Sequence, residues 1–122
     1  MEAAAGARFV RLASKKEIPD GEGRPFLVGE QEVAVFNCRG TYFAIGDVCT
    51  HAHALLHEGS VDRFRNSVEC PLHGAEYDLR TGEVLTPPAT EPVPVFPVRE
   101  NGDAIEIALP PDGGTDGQVQ EP

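Results

Sequence analysis

Apolar residues occur along this chain in short runs, separated by clusters of glycine, proline, asparagine and aspartate. Within several runs apolar and polar residues alternate, which is the period of a strand with one buried face. No segment shows the sustained 3.6-residue period of a long helix, although residues 14–17 (SKKE) have the sequence of a capping box and predict one short helical turn. We predict strands over residues 26–28, 32–38, 41–45, 67–70, 76–79, 83–85 and 104–109.

The residues between these runs predict antiparallel connections. Arg39-Gly40 separates two predicted strands by a turn that makes a hairpin, and Asn101-Gly102 is a strong two-residue hairpin signal. Residues 93–99 (VPVFPVR) are extended, but Pro94 and Pro97 cannot donate to a strand ladder and confine this segment to a sheet edge or an irregular strand. The pattern therefore predicts an all-β fold, a small antiparallel sandwich or barrel.

Length, charge and cysteine content narrow the function. A chain of 122 residues predicts one domain, which we place over residues 1–109. Residues 110–122 have almost no apolar content and predict a disordered C-terminal tail. The net charge of −10 disfavours nucleic acid and anionic membranes as partners, and no apolar run has the length of a signal peptide or a membrane span. Three cysteines, an odd number, argue against a secreted disulfide framework, so we expect a soluble protein in the cytoplasm.

Two short motifs carry the chemistry. Cys49-Thr50-His51 and Cys70-Pro71-Leu72-His73 each place a histidine within three residues of a cysteine, with eighteen residues between the motifs. Thiolate and imidazole ligands together suit zinc or an iron–sulfur cluster. A zinc site would gather all four side chains around one ion. A mixed cysteine–histidine pair in each motif instead suits a two-metal cluster, in which each loop gives its cysteine to one iron and its histidine to the other.

These motifs, with Gly74, Tyr77-Asp78-Leu79 and Thr81-Gly82 after them, resemble the Rieske [2Fe–2S] signature over roughly residues 9–109. The chain is most similar to the small Rieske-type ferredoxins of bacterial aromatic-ring dioxygenases. The resemblance implies the Rieske-like fold, with a cluster-binding part at about residues 46–90 that contains two ligand loops. It implies Cys49 and Cys70 on one iron, and His51 and His73 on the other, with both imidazoles directed to solvent. It also implies that Thr86-Pro87-Pro88 covers the third side of the cluster.

The resemblance also implies a role. The protein would carry one electron at a time from a flavin- and NAD(P)H-dependent reductase to a terminal oxygenase, in transient contacts. The chain has no room for a catalytic iron domain or a second ligand set, so we expect a carrier and not an enzyme, and the lack of a long amphipathic seam makes us expect a monomer. High-potential Rieske proteins have two further cysteines where this chain has Ala54 and Leu72, and a serine where it has Ala75. Tyr77 stands at the position of their tyrosine. Fewer hydrogen bonds to sulfur predict a potential toward the low end of the span from about −150 to +300 mV.

Other interpretations remain open from the sequence. The small Rieske-like subunit of an assimilatory nitrite reductase is the alternative function, and a structural zinc module is a third. Outside the ligand set, we interpret His53 as a polar residue on the cluster loop, His57 as a surface residue and Cys38 as a small strand residue. Tyr77 is equally consistent with a core aromatic and with a hydrogen-bond donor to a ligand sulfur.

Overall fold

The computed structural model describes residues 8–50, 54–72, 74–87 and 91–109. These residues form eleven strands and two short 3-10 helices, at Lys15–Glu17 and Leu56–Glu58. The strands are β1 (Arg8–Ser14), β2 (Gly23–Val28), β3 (Gln31–Cys38), β4 (Thr41–Gly46), β5 (Ser60–Asp62), β6 (Ser67–Glu69), β7 (Glu76–Asp78), β8 (Val84–Thr86), β9 (Val95–Phe96), β10 (Val98–Asn101) and β11 (Ala104–Leu109).

Three antiparallel sheets lie in layers. Their strand orders are β1-β11-β10, β2-β3-β4-β9 and β5-β6-β7-β8. One apolar core joins the first sheet to the middle sheet, and a second core joins the middle sheet to the third. The middle sheet is therefore covered on both faces, and the predicted all-β antiparallel sandwich is confirmed.

Strand β3 shows why the middle sheet is buried on both sides. Val33 and Val35 pack in the core shared with β1 and β11, whereas Ala34 and Phe36 pack in the core shared with the third sheet. Successive side chains of a strand point to opposite faces, so a strand covered on both faces must be apolar at nearly every position. The run EVAVFNC meets that requirement, and all residues from Val33 to Cys38 are buried.

The proline-containing segment divides between two sheets. Strand β9 is an edge of the middle sheet, and β10 is an edge of the first sheet. Pro97 lies between them, and its carbonyl accepts a hydrogen bond from the Ala108 N–H at 3.0 Å. The predicted edge position is confirmed, but the single extended segment is in fact two strands.

Local features of the strands and turns agree with the sequence expectations in part. The capping box at Ser14 is present and begins the first 3-10 helix. The hairpin loop after β10 is Gly102-Asp103, because Asn101 still pairs with Ala104. Strands β1 and β5 were not predicted. The expected disordered tail at residues 110–122 lies outside the described residues, which include no helix with the length and hydrophobicity needed to span a bilayer.

Candidate metal centre

The first cysteine opens a tight loop directly after β4. Val48 pairs with Leu55 in an isolated antiparallel bridge, and the Cys49 N–H donates to the Ala54 carbonyl at 2.9 Å. These contacts bring together the two sides of the chain that flank residues 50–53. The Cys49 side chain is buried at 3% exposure and belongs to the core beneath the third sheet.

The second cysteine opens an equivalent loop directly after β6. The Cys70 N–H donates to the Ala75 carbonyl at 2.7 Å, so each loop is closed by a bond from its cysteine to the alanine five residues later. Gly74 has a φ of 79°, which allows the chain to turn back toward β7. Cys70 and Ala75 are both buried. The two loops therefore present their cysteines at the same structural position.

A carboxylate and an imidazole join the two segments that flank the first loop. Asp47 is buried, and its Oδ1 accepts the His57 backbone N–H at 2.8 Å while its Oδ2 lies 2.7 Å from His57 Nδ1. The Asp47 carbonyl also accepts the Leu56 N–H. Asp47 thus holds the strand before the loop to the 3-10 helix after it. The prediction of His57 as a surface residue is wrong, because its side chain is only 17% exposed and contacts this buried carboxylate.

Tyr77 on β7 places a hydroxyl beside the first cysteine. The ring is fully buried, and its oxygen lies 3.3 Å from Cys49 Sγ. The Thr50 N–H donates to the same oxygen at 3.2 Å, and Thr50 Oγ1 lies 2.8 Å away. Burial raises the pKa of Tyr77, so the hydroxyl keeps its hydrogen and can donate it. Tyr77 is therefore both a core aromatic and a candidate donor to sulfur.

The surface around the two loops is acidic and partly apolar. Three exposed glutamates lie beside the loops: Glu58, Glu69 and Glu91. Glu58 ends the 3-10 helix that follows the first loop, and Glu69 directly precedes Cys70. Leu72 in the second loop is 62% exposed. No lysine or arginine occurs in residues 40–62 or 66–79, which contain both loops. This rim suits a partner with basic and apolar groups.

Cys38 has a different environment from the two loop cysteines. It ends β3 and pairs with Thr41 at the start of β4, whereas the first cysteine loop follows the other end of β4, and it forms no disulfide. Burial, together with the negative charges of Asp20 and Asp62, raises the pKa of its thiol to about 11. A protonated thiol is a poor ligand and nucleophile. The structure thus agrees with the interpretation of Cys38 as a small strand residue.

The ligand residues that the structure describes fit an iron–sulfur cluster. Two soft, buried cysteines sit at matching positions of two loops, and a hydroxyl lies beside one of them. Among the residues that the structure describes, no three His, Cys, Asp or Glu side chains form a metal site by themselves. The predicted ligands His51 and His73, and His53, lie outside the described residues, as does Pro88 of the predicted covering loop. No local sequence pattern marks Asp47, Glu91 or the hydrogen-bonding role of Thr50, because their contacts join distant parts of the chain.

Comparison with known proteins decides the family. The family model for the Rieske [2Fe-2S] domain matches residues 8–97. This chain belongs to the Rieske [2Fe–2S] domain family. Membership implies one Rieske-type [2Fe–2S] cluster as the cofactor. A relative from Pseudomonas sp. (strain KKS102), the biphenyl dioxygenase ferredoxin subunit, is 41% identical over 100 residues, which are 81% of this chain and 90% of that protein.

Solved structures of the Rieske domain extend the comparison. One chain in the complex of reduced oxygenase and oxidized ferredoxin in carbazole 1,9a-dioxygenase is 30% identical with a TM-score of 0.75, covering 82% of this chain and 92% of that chain. An NADH-dependent nitrite reductase small subunit from Mycobacterium tuberculosis is 27% identical with a TM-score of 0.76, covering 84% and 96%. The predicted Rieske-like fold is therefore confirmed.

Proposed function

We propose that this protein is a one-electron carrier that takes electrons from a flavin-dependent, NAD(P)H-oxidising reductase and passes them to a terminal aromatic-ring oxygenase. The observation that carries the proposal is the pair of equivalent loops with buried Cys49 and Cys70, within a Rieske domain. The similarity to a biphenyl dioxygenase ferredoxin subunit supports the choice of partner system. The protein is a carrier and not itself an enzyme, as is implied by relatives that are ferredoxin subunits.

The ligand set extends the two described cysteines by two histidines. We assign Cys49 and Cys70 to one iron, and His51 and His73 to the other, within a cluster-binding part at about residues 46–90 of a domain that ends at residue 109. When bound, the cluster accepts one electron and gives up one electron. The chain's own task is to hold the four ligands, exclude water from the sulfurs and direct the imidazoles outward.

Hydrogen bonds to the ligand sulfurs set the potential. The buried side chain of Ala75 has no hydroxyl to donate, whereas the Tyr77 hydroxyl lies beside Cys49 Sγ. Each hydrogen bond to sulfur stabilises the more negative, reduced state. With one hydroxyl donor missing, we place the potential in the lower part of the Rieske range of about −150 to +300 mV.

The acidic rim supports a transient encounter with a basic partner. Glu58, Glu69 and Glu91 surround loops that have no nearby lysine or arginine in sequence, and the exposed Leu72 adds a small apolar contact. Opposite charges at the edge of an interface mainly raise the association rate and make it salt-dependent. A monomer in the cytoplasm, where reducing conditions keep Cys38 a thiol, fits this role.

Spectroscopy of the purified protein tests the cofactor directly. We expect a brown protein that dithionite reduces by one electron, giving a rhombic low-temperature EPR signal with a low average g value. That signal distinguishes a histidine-ligated [2Fe–2S] cluster from an all-cysteine one. A colourless protein that contains zinc would overturn the proposed function.

Variants test the ligand set. Cys49→Ser and Cys70→Ser should lose the cluster, and His51→Cys or His73→Cys should lower the potential or lose it. Cys38→Ser is the matched control, because Cys38 is equally buried but lies in β3, and it should keep both iron content and EPR signal. An intact cluster with an unchanged potential in a histidine variant would remove that histidine from the ligand set.

The acidic rim is tested with the oxygenase component of the biphenyl dioxygenase system as acceptor. Rising ionic strength should slow electron transfer, and Glu58→Gln with Glu69→Gln should slow it at low salt. Asp103→Asn is the control, because Asp103 is exposed in the β10–β11 loop beside Lys15, in a sheet that contributes nothing to the cysteine loops. Equal slowing by the control would refute docking at this rim.

A second candidate is the small subunit of a nitrite reductase, favoured by the likeness to the Mycobacterium tuberculosis protein. This function predicts a stable complex with a large catalytic subunit, whereas a carrier elutes alone. Size-exclusion chromatography of the protein from its native cells distinguishes the two, because co-elution with a large partner would favour the nitrite reductase.

A further inference from the structure

The hydroxyl of Tyr77 has one hydrogen and two acceptors within reach. Cys49 Sγ lies 3.3 Å from its oxygen and Thr50 Oγ1 lies 2.8 Å from it. The Thr50 N–H donates to this oxygen, so the oxygen itself is held in place by the loop backbone. A single hydrogen cannot make two full hydrogen bonds, and the two acceptors therefore compete for it.

The hydrogen of the Thr50 hydroxyl decides the competition. Thr50 Oγ1 lies 2.8 Å from the Glu91 carbonyl, which can only accept, so this contact uses the Thr50 hydrogen. Thr50 Oγ1 must then face Tyr77 as an acceptor. Two oxygens 2.8 Å apart need a hydrogen between them, so in that arrangement the Tyr77 hydrogen points toward Thr50 and away from sulfur.

A second arrangement is open to the same three groups. The Thr50 hydroxyl can rotate to donate to Tyr77, which leaves the Tyr77 hydrogen for Cys49 Sγ. The Glu91 carbonyl then needs another donor, and water can supply it because Glu91 is exposed. The two arrangements differ only in hydroxyl rotation, and neither gains nor loses a proton.

We propose that Thr50 is a positioning residue that lowers the reduction potential by competing with Cys49 for the hydrogen of Tyr77. The inference rests on the proposed function, because Cys49 must be a cluster ligand. A hydrogen bond to a ligand sulfur stabilises the reduced state, so diverting it favours the oxidised state. A reduced cluster would be more negative than an oxidised one and would favour the arrangement in which Tyr77 donates to Cys49 Sγ.

Thr50→Val tests the proposal, because valine keeps the shape and the backbone N–H but removes the competing oxygen. We expect the potential to rise, by about threefold to tenfold in the equilibrium constant for reduction, the size of one hydrogen bond of ordinary strength. A tenfold change is about 59 mV for a one-electron couple. Thr50→Ser restores the hydroxyl and should keep the wild-type potential.

A double-mutant cycle separates this role from a general effect on the loop. Tyr77→Phe should lower the potential, and adding Thr50→Val to Tyr77→Phe should cause no further change, because no hydrogen remains to compete for. An equal rise in both backgrounds would overturn the proposal, since Thr50 would then act without Tyr77. An unchanged potential in Thr50→Val alone would overturn it as well.

Resonance Raman spectra in H₂O and D₂O give a second readout on the same proteins. The deuterium shift of the Fe–Sγ stretch should be larger in Thr50→Val than in wild type and smaller in Tyr77→Phe. If Thr50→Val does not hold a cluster, Thr50→Ala replaces it in both measurements. A wild-type protein without a cluster refutes the proposed function, whereas an intact wild-type cluster with unresponsive Thr50 variants refutes only this inference.

Discussion

The buried pair of Asp47 and His57 is predicted to make a large contribution to the stability of the first loop. Asp47→Ala removes a carboxylate that accepts two hydrogen bonds, from the His57 N–H at 2.8 Å and from Nδ1 at 2.7 Å. Hydrogen bonds to a charged group contribute about 1.5–3 kcal/mol each. Asp47 is 2% exposed, so water cannot replace the carboxylate from its side.

The expected loss of stability lies in the lower half of the sum for the two hydrogen bonds. His57 is 17% exposed and can turn its ring partly to water after the substitution, whereas its backbone N–H loses the carboxylate that accepts it. We therefore expect a loss of about 3–4 kcal/mol in the free energy of unfolding. For about 100 ordered residues, each kcal/mol corresponds to about 5 °C, so the melting temperature should fall by about 15–20 °C. Asp47→Asn keeps the shape and one acceptor, and should cost less.

The assay is thermal and chemical unfolding of the cluster-containing protein, followed by near-UV and visible absorption. Glu100→Ala is the control, because the Glu100–Lys15 ion pair at 2.9 Å is exposed and screened by water, so its loss should change stability little. The Asp47 variant should also release iron faster on heating, because its loop carries Cys49. A loss below about 0.5 kcal/mol, or equal to that of the control, would refute the assigned role of the pair.

Two further predictions follow from single residues elsewhere. Gly82→Ala should destabilise the β7–β8 turn strongly, because Gly82 has a φ of 79° and a Cβ there would lie 2.1 Å from the Val93 carbonyl oxygen. Gly102 has a φ of 61° and nothing within 4 Å of a Cβ, so Gly102→Ala should lower the free energy of unfolding by only about 1–2 kcal/mol. Equal melting temperatures for the two variants would contradict this comparison. The second prediction concerns pH: burial raises the pKa of the Cys38 thiol from 9.0 to about 11, so the folded state holds this proton more tightly. Its contribution to stability is complete below pH 9 and is lost as the pH rises to about 11, so Cys38→Ala should flatten the decline in stability over that interval.

The sequence predicted strands well where the signal was local. Strands β3 and β4 were placed within one residue at each end, since a strand buried on both faces is apolar throughout and Arg39-Gly40 supplies two positive φ values for the turn, 58° and 90°. Strand β1 was missed because it pairs with β11, about 95 residues away in the chain. Strand β5 was missed because three residues are too few to show an alternation of apolar and polar positions.

The candidate site shows the same division between local and distant contacts. The two cysteine motifs were visible because each is contained within four residues. The environment of His57 was predicted wrongly, since no local pattern indicates that Asp47, across the loop, lies 2.7 Å away. The role of Tyr77 stayed open for the same reason, because 28 residues separate it from Cys49.

The ends of the segment that carries both cysteines are neighbours. The chain leaves the middle sheet at Gly46 and returns at Val95, where Ile45 pairs with Val95 and the Gly46 N–H donates to the Pro94 carbonyl at 2.9 Å. Adjacent strands lie only about 5 Å apart. The intervening segment is therefore geometrically equivalent to an enlarged hairpin turn, and a recipient sheet with two antiparallel neighbours could accept it in place of a turn. Ala34, Phe36 and Ile45 of the middle sheet belong to the same apolar core as this segment, so a recipient sheet must also supply a matching apolar face before the segment can be transferred as a unit.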